Sequence, residues 1–263
     1  MTLLRAIAAE LRKTVTLPAS LAAVAVAALG SLAITGLNAF GVREAIKNGQ
    51  LDTVAYTSPA EAAFAAVPLG TVGAVILGVV AMSSEYSPNS SDAGGGRQVT
   101  TTLIATPRRL RLLTAKACSV TLLMFAIAAA TIPACLAVAH LVVGDATASD
   151  DLPEVIARAL GAALYWALTA LIALAITALT RSGVVPLLVL VTNSSLVSVS
   201  LLLTNLTPLA YYLPDIAGTP LFARETFSAV DDALDPLTGG LVMTAWTLGL
   251  LGVAAVSFTR RDA

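Results

Sequence analysis

The residues of this 263-residue chain that could take part in catalysis are few and scattered. His140 is the only histidine, which excludes any site that needs two, including the usual zinc sites. The glycine run Gly94–Gly96 continues into Arg97 and Gln98, so it lacks the lysine and hydroxyl residue of a phosphate-binding loop. The G-x-S-x-G sequence of serine hydrolases does not occur. The sequence therefore predicts no enzyme activity and no cofactor or metal bound by this chain.

The longest polar passage in the first half of the chain, residues 84–116, separates two apolar segments. It opens on an acid and an aromatic residue, Glu85 and Tyr86, and a short helix-like piece later ends at Pro107. A basic cluster follows, made up of Arg108, Arg109, Arg111 and Lys116. Such a passage is a good place for a soluble partner to bind. For Glu85, a plain acid at a helix end and a structural or coupling role are equal alternatives.

A second polar group, of hydroxyls and one amide, lies inside an apolar run near residue 195. Its members are Thr192, Asn193, Ser194, Ser195, Ser198 and Ser200. An amide such as Asn193 is costly in hydrocarbon unless it meets a partner, so this segment should face protein or a water-filled path. A substrate path and a subunit interface remain equal alternatives for Thr192, Asn193, Ser195 and Ser198.

These polar groups must be positioned by membrane-spanning helices. The chain is 57% hydrophobic and 12% charged, about half the charged fraction of a typical soluble protein. Six apolar runs approach or exceed the ~20 residues that a bilayer core requires, and their continuous apolarity favours helices over a barrel. Their approximate limits are Pro18–Leu37, Ala62–Met82, Ala117–Val143, Val155–Leu179, Val184–Thr204 and Gly239–Phe258. We predict an all-α membrane protein of six transmembrane helices, forming one domain over residues 1–263. No charge falls at mid-membrane, which argues against an ion- or proton-coupled carrier.

Residues 1–17 have the pattern of an amphipathic helix. Leu3, Ile7 and Leu11 recur at four-residue steps, while Arg5, Arg12 and Lys13 take the other face. Such a helix is expected to lie in the headgroup plane and to contact membrane lipid. A cleaved signal peptide is the competing interpretation, but the charged region is long and the run from Pro18 is long enough to span.

The basic residues set the predicted orientation. With six spans, both termini and residues 84–116 share one side, which holds all but four of the 15 Lys and Arg residues. The other four are Arg43, Lys47, Arg158 and Arg224. This excess predicts that both termini of a multi-pass membrane protein are cytoplasmic. No extended basic face suggests a nucleic-acid partner.

Residues 205–238, on the predicted outer side, are too many for a turn and too apolar for a solvated loop. Pro208, Pro214, Gly218 and Pro220 divide them into short pieces. Two short re-entrant helices that dip into the outer leaflet before span six would explain both facts, since tyrosine and phenylalanine suit that interface. A flexible loop is the alternative.

The combined pattern resembles the permease subunits of type-2 ABC transporters of the bacterial exporter type. Within the passage between spans two and three, the similarity lies in Glu85–Tyr86, Gly96–Arg97, Thr100–Leu103, Pro107–Arg109 and Lys116. The outer segment LTPLAYYLPDIAG and the basic tail FTRRDA fit as well. The chain departs from the family pattern in the segment SPNSSDAGGG inserted before Arg97.

The resemblance implies that transport and ATP hydrolysis are carried out by different subunits. A second permease copy would complete a homodimer or heterodimer, and separate ABC ATPase subunits would carry ATP and magnesium. Residues 97–105 would form a coupling helix seated on the ATPase, and residues 1–17 a connector that moves with it. The implied coupling residues are Glu85, Tyr86, Arg97, Gln98, Thr101, Thr102, Leu103, Pro107, Arg108 and Arg109, and the implied outer gate is Tyr211, Tyr212 and Phe222.

The expected activity is export by alternating access. The substrate would be hydrophobic or amphipathic, of the antibiotic, peptide, lipid or polysaccharide class. The alternative is a non-transporting membrane anchor or immunity protein that docks a cytoplasmic partner.

Overall fold

A computed structural model describes most of the chain: residues 2–50, 56, 58–87, 98–99, 102, 108–144, 151–195, 199–223 and 234–260, without the side chains of residues 194 and 195. Within these ranges the regular structure is entirely helical, in agreement with the predicted all-α class.

Helices make up both halves of the described chain. The first half contains α1 (Leu3–Thr16), α2 (Pro18–Ala25), a π-helical turn (Val26–Gly30), α3 (Ser31–Asn48), α4 (Pro59–Phe64), α5 (Val67–Ser83) and a 3₁₀ turn (Ser84–Tyr86). The second half contains α6 (Arg109–Val143), α7 (Leu152–Thr180), α8 (Val184–Ser195), α9 (Val199–Thr204), α10 (Pro214–Gly218) and α11 (Pro236–Arg260), with 3₁₀ turns at Pro208–Tyr212 and Thr219–Leu221.

Polar side chains cap several helix starts and explain where those helices begin. Thr2 accepts a hydrogen bond from the Arg5 amide (3.4 Å) at α1, and Ser58 accepts from the Glu61 amide (3.2 Å) at α4. Asp235 accepts from the Thr238 amide (3.0 Å) at α11. The hydrogen bonds from Thr238 hold the pKa of Asp235 below its usual value.

Five helical stretches in the described part of the chain are long and apolar enough to cross a membrane. They are Pro18–Asn48, Pro59–Tyr86, Arg109–Val143, Leu152–Thr180 and Pro236–Arg260. Helical structure continues past the apolar limits predicted from sequence: the first stretch ends at Asn48 rather than Leu37, and the third starts at Arg109 rather than Ala117. Arg109, Arg111 and Lys116 therefore belong to the first turns of α6.

The predicted fifth span, Val184–Thr204, is described in two helical pieces, α8 and α9. Residues 196–198 between them lie outside the described residues, so a single span at Val184–Thr204 stays a prediction. The side chain of Asn193 accepts a hydrogen bond from the backbone amide of Ser200 (3.2 Å). This bond links α8 to α9.

α5 and α7 form the buried centre of the bundle. Gly78 lies so close to α7 that a Cβ there would come within 2.0 Å of the Ala170 carbonyl oxygen. At Gly70 the indole of Trp166 occupies the space a Cβ would need, and its Nε1 donates to the Val67 carbonyl (3.0 Å). The absence of side chains at these two glycines therefore sets the separation of the central helices.

α1 packs against α6 through its small and polar face. Its buried residues are Ala6, Glu10 and Thr14, whereas Leu3 and Leu4 are exposed. Contact of the face with Leu3, Ile7 and Leu11 with membrane lipid stays a prediction. Small and polar residues form the contact because α1 meets a buried lysine of α6.

Contacts define two ends of the bundle. At one end, which we call the α1 end, Arg109 Nη1 donates to the Phe258 carbonyl (3.0 Å) and the Tyr86 hydroxyl donates to the Ala178 carbonyl (3.4 Å). At the far end, Arg158 Nε donates to the Phe222 carbonyl (2.8 Å). Helix α1 and the end of α11 thus lie at the same end as both flanks of residues 88–107.

Candidate functional site

Four charged side chains form a buried ion cluster at the α1 end: Glu10 and Lys13 of α1, Glu85 of the turn after α5, and Lys116 of α6. Lys116 Nζ lies 2.7 Å from Glu10 Oε2 and 2.9 Å from Glu85 Oε1, and Lys13 Nζ also contacts Glu85 Oε1. The Glu85 side chain is fully buried and that of Lys116 is 2% exposed. The cluster joins three helical elements that are distant in sequence.

The charges of the ion cluster balance, which is what burial requires. Removing ions from water costs several kcal/mol each unless partners and hydrogen bonds compensate. Lys116 has three N–H donors, and they meet Glu10, Glu85 and the Ala81 carbonyl (2.9 Å). Glu85 Oε2 is buried and has no hydrogen-bond partner within the described part of the chain. The lysine is thus the fully satisfied centre of the cluster.

Further hydrogen bonds connect the helical elements that the ion cluster joins. Ser119 Oγ donates to the Ile7 carbonyl of α1 (3.2 Å), and Tyr86 is tied to α7 through Ala178. On the other flank of residues 88–107, Arg109 of α6 is tied to α11 through Phe258. Both flanks of the polar segment are therefore anchored to the bundle.

The predicted coupling residues fall into three groups. Glu85 is in the ion cluster, and Tyr86 and Arg109 are half-buried anchors. Arg108 is exposed; Gln98 and Thr102 are half-buried, with the Gln98 amide donating to the Ser87 carbonyl (3.1 Å) and Thr102 Oγ1 to the Gln98 carbonyl (3.1 Å). Arg97, Thr101, Leu103 and Pro107 lie outside the described residues.

The sequence did not predict two members of the ion cluster, Glu10 and Lys13. Lys13 was assigned to the cationic face of α1 with Arg5 and Arg12, and Glu10 was given no role. The available signal was the small and polar series Ala6, Glu10, Thr14, which repeats every four residues and so occupies one helix face. An acid within such a series indicates a partner of opposite charge.

Asn193 finds its polar partners within the chain. Its Nδ2 donates to Asp215 Oδ2 (2.7 Å) and to Ser200 Oγ (3.2 Å), so it links α8 to α9 and to α10. Thr192 beside it is exposed. The Ser195 side chain and Ser198 lie outside the description, and the choice between a substrate path and a subunit interface stays open.

We expect Asn193→Ala to destabilise the protein by about 1–3 kcal/mol, because Asp215 and Ser200 lose their shared partner. Amide hydrogen exchange should accelerate at Ser200, whose N–H loses its acceptor. Thermal unfolding in detergent and exchange mass spectrometry would measure both effects. Thr192→Val is the matched control and should leave both unchanged; equal behaviour of the two variants would contradict this role of Asn193.

The residues predicted to form an outer gate differ in their surroundings. Phe222 is buried, with its ring centroid 5.1 Å from that of Tyr165. Arg158 holds the Phe222 carbonyl, and its guanidinium lies 4.3 Å from the centroid of the Phe64 ring. Tyr211 is half-buried, while Tyr212 is exposed and its carbonyl accepts from Trp246 Nε1 (2.8 Å). Phe222 is thus an anchor, and Tyr212 is the accessible member.

The architecture is that of a multi-pass helical membrane protein, with five candidate spans in its described part. Compared with models of known protein families and with curated proteins, the chain gives no match. Its function is therefore argued from the ion cluster and the segment that the cluster flanks.

Proposed function

We propose that this chain is the membrane-spanning permease subunit of an ATP-driven exporter. A separate ATPase subunit would bind ATP and magnesium, and a second permease copy would complete the transporter. The observation that carries the proposal is the ion cluster, which fastens α1 to the two helices flanking residues 88–107. A partner that pulled on this segment would move three helical elements together.

The mechanical argument rests on burial. Separating α1 from the end of α5 and the start of α6 would leave buried charges without their partners, a state that costs about 3–5 kcal/mol when one partner is removed. The three elements therefore resist separation. Tyr86 and Arg109 extend the same junction to α7 and α11. Force applied at the α1 end would then be passed to the bundle as a rigid-body movement, as alternating access requires.

The proposed orientation places the α1 end in the cytoplasm of a bacterial cell. Exposed cations at this end include Arg5, Arg12, Arg108 and Arg260, the bias expected of a cytoplasmic face. A crossing from the α1 end through α8 and α9, the fifth in chain order, would bring the number of crossings to six. The far end, with Tyr212 and α10, would then be the outer face through which a hydrophobic or amphipathic substrate leaves.

Deleting residues 97–105 is expected to leave membrane insertion intact and to uncouple ATP hydrolysis from transport. The reason is that the proposed ATPase contact is removed while the ion cluster on both flanks is kept. Proteoliposome flux and ATPase rate, measured on the same preparation, would test this. Deletion of residues 88–96 is the control of equal length and should retain coupled transport.

Transport that survives the 97–105 deletion would refute the assignment of the coupling segment. Co-purification with a soluble partner that lacks ATPase motifs would instead favour a membrane anchor or immunity protein. The first outcome tests where the ATPase binds, and the second tests whether the chain is a transport permease.

A further inference from the structure

A run of short turns, residues 208–222, lies at the far end of the bundle in contact with α7 and α11. We call it the far-end strap. It consists of the 3₁₀ turn Pro208–Tyr212, α10 and the 3₁₀ turn Thr219–Leu221, with Phe222 at its end. Helical pieces of this length are not stable by themselves in water. Contacts with the longer helices must therefore hold the strap in place.

Three helices each donate one side-chain hydrogen bond to the far-end strap. The pairs are Arg158 Nε of α7 with the Phe222 carbonyl (2.8 Å), Trp246 Nε1 of α11 with the Tyr212 carbonyl (2.8 Å) and Asn193 Nδ2 of α8 with Asp215 Oδ2 (2.7 Å). Two of the three acceptors are backbone carbonyls, so these bonds fix the path of the chain itself. Because one carbonyl belongs to the first 3₁₀ turn and the other follows the second, both ends of the strap are held.

The backbone of the far-end strap also lies directly on two glycines. A Cβ at Gly161 of α7 would lie 2.0 Å from the Leu221 carbonyl oxygen, and a Cβ at Gly239 of α11 would lie 2.1 Å from the Ala217 carbonyl oxygen. In both places the obstructing atom belongs to the backbone, so no side-chain rotation could make room. The strap therefore fits both helices at once only in their present arrangement.

Burial shows which side of the far-end strap is packed. Ala210, Ala217 and Phe222 are at most 5% exposed, whereas Leu209 is 76% exposed. These three buried residues come from the beginning, the middle and the end of the strap. The inner side is thus packed along its whole length, and the contacts are not concentrated at one point from which the strap could turn.

We propose that the far-end strap, α7 and α11 form one rigid body, and that the strap leaves this body only by a cooperative opening of its whole length. Its turns have little stability of their own, so the loss of one contact weakens the others. The strap is therefore not a gate that opens while α7 and α11 stay in place. This property belongs to the chain alone and does not depend on transport.

Amide hydrogen exchange of the full chain in lipid nanodiscs, resolved to single amides, tests the proposal. The amides of Ala210, Ala217 and Phe222 all donate within the strap or to the residue before it, and they should show similar protection factors in the wild type. Trp246→Phe keeps an aromatic ring but removes the donor to the first turn. It should accelerate exchange about tenfold at all three amides, including that of Phe222 at the opposite end.

A substitution at the other end of the far-end strap gives the reciprocal test. Gly161→Ala displaces the Leu221 carbonyl and should accelerate exchange at Ala210 as well as at Phe222. Gly249→Ala is the matched control on α11, because no atom lies within 4 Å of its new Cβ, and it should leave the strap unchanged. Should Gly161→Ala fail to fold, as circular dichroism would show, Trp246→Phe still carries the test. Exchange in α6 should not change in either variant.

Acceleration confined to the turn beside the substituted residue would overturn the proposal, since the far-end strap would then open piece by piece. Strap amides of the wild type that exchange as fast as those of an unstructured peptide would also overturn it, because the strap would then open freely. Equal acceleration in α6 would contradict it as well, since the strap would not be a separate cooperative unit.

Discussion

Lys116→Met is expected to lower the free energy of unfolding by about 3–5 kcal/mol, the usual cost of removing one partner from a buried ion pair. The substitution keeps an unbranched side chain of similar length but leaves Glu10 and Glu85 buried without their shared cation. It also leaves the Ala81 carbonyl without the Lys116 donor. Thermal or denaturant unfolding in detergent would measure the loss.

A double variant tests whether the lost stability comes from unpaired buried charge. Lys116→Met combined with Glu85→Leu leaves Glu10 and Lys13 as a balanced pair on α1, so it should recover much of the stability that Lys116→Met loses. Lys47→Met, which breaks an exposed pair with Glu44, should have only a small effect. A double variant less stable than Lys116→Met would contradict the account of the ion cluster.

Gly78→Ala is expected to destabilise the central α5–α7 pair by about 1–3 kcal/mol, the usual cost of overpacking, or more. The new Cβ would lie 2.0 Å from the Ala170 carbonyl oxygen. Because the obstructing atom belongs to the backbone, only a movement of one helix can relieve the clash. Unfolding in detergent measures this effect as well.

Gly249→Ala is the matched control for Gly78. No atom lies within 4 Å of the position a Cβ would take at Gly249, and alanine favours the helix over glycine. The control should therefore be neutral or slightly stabilising. If Gly78→Ala were as stable as Gly249→Ala, the close packing of α5 on α7 would be refuted.

Continuous apolar runs were enough to predict the helical class and five of the stretches that could span a membrane. They could not predict the partners of Asn193, whose side chain bonds Ser200 and Asp215. Asp215 comes from the predicted outer segment, residues 205–238, so the pairing depends on tertiary structure.

Periodicity predicted the first helix but not how it docks on the bundle. The leucine and isoleucine pattern of α1 predicted a side in contact with lipid, whereas the contact with α6 is made by Ala6, Glu10 and Thr14. The deciding partner, Lys116, is more than one hundred residues away in sequence, and a local pattern cannot include it. For the same reason the sequence, which placed Arg158 only as a cation of the outer side, could not predict that its side chain is buried against Phe64 and Phe222.

The most direct test of the central proposal is reconstitution of this chain with an ATPase subunit that co-purifies with it. We predict that such an ATPase associates with the wild-type chain and that proteoliposomes containing both show ATP-dependent movement of an amphipathic compound. A chain that binds no ATPase, in proteoliposomes without ATP-dependent flux, would contradict the proposal that this protein is a transport permease.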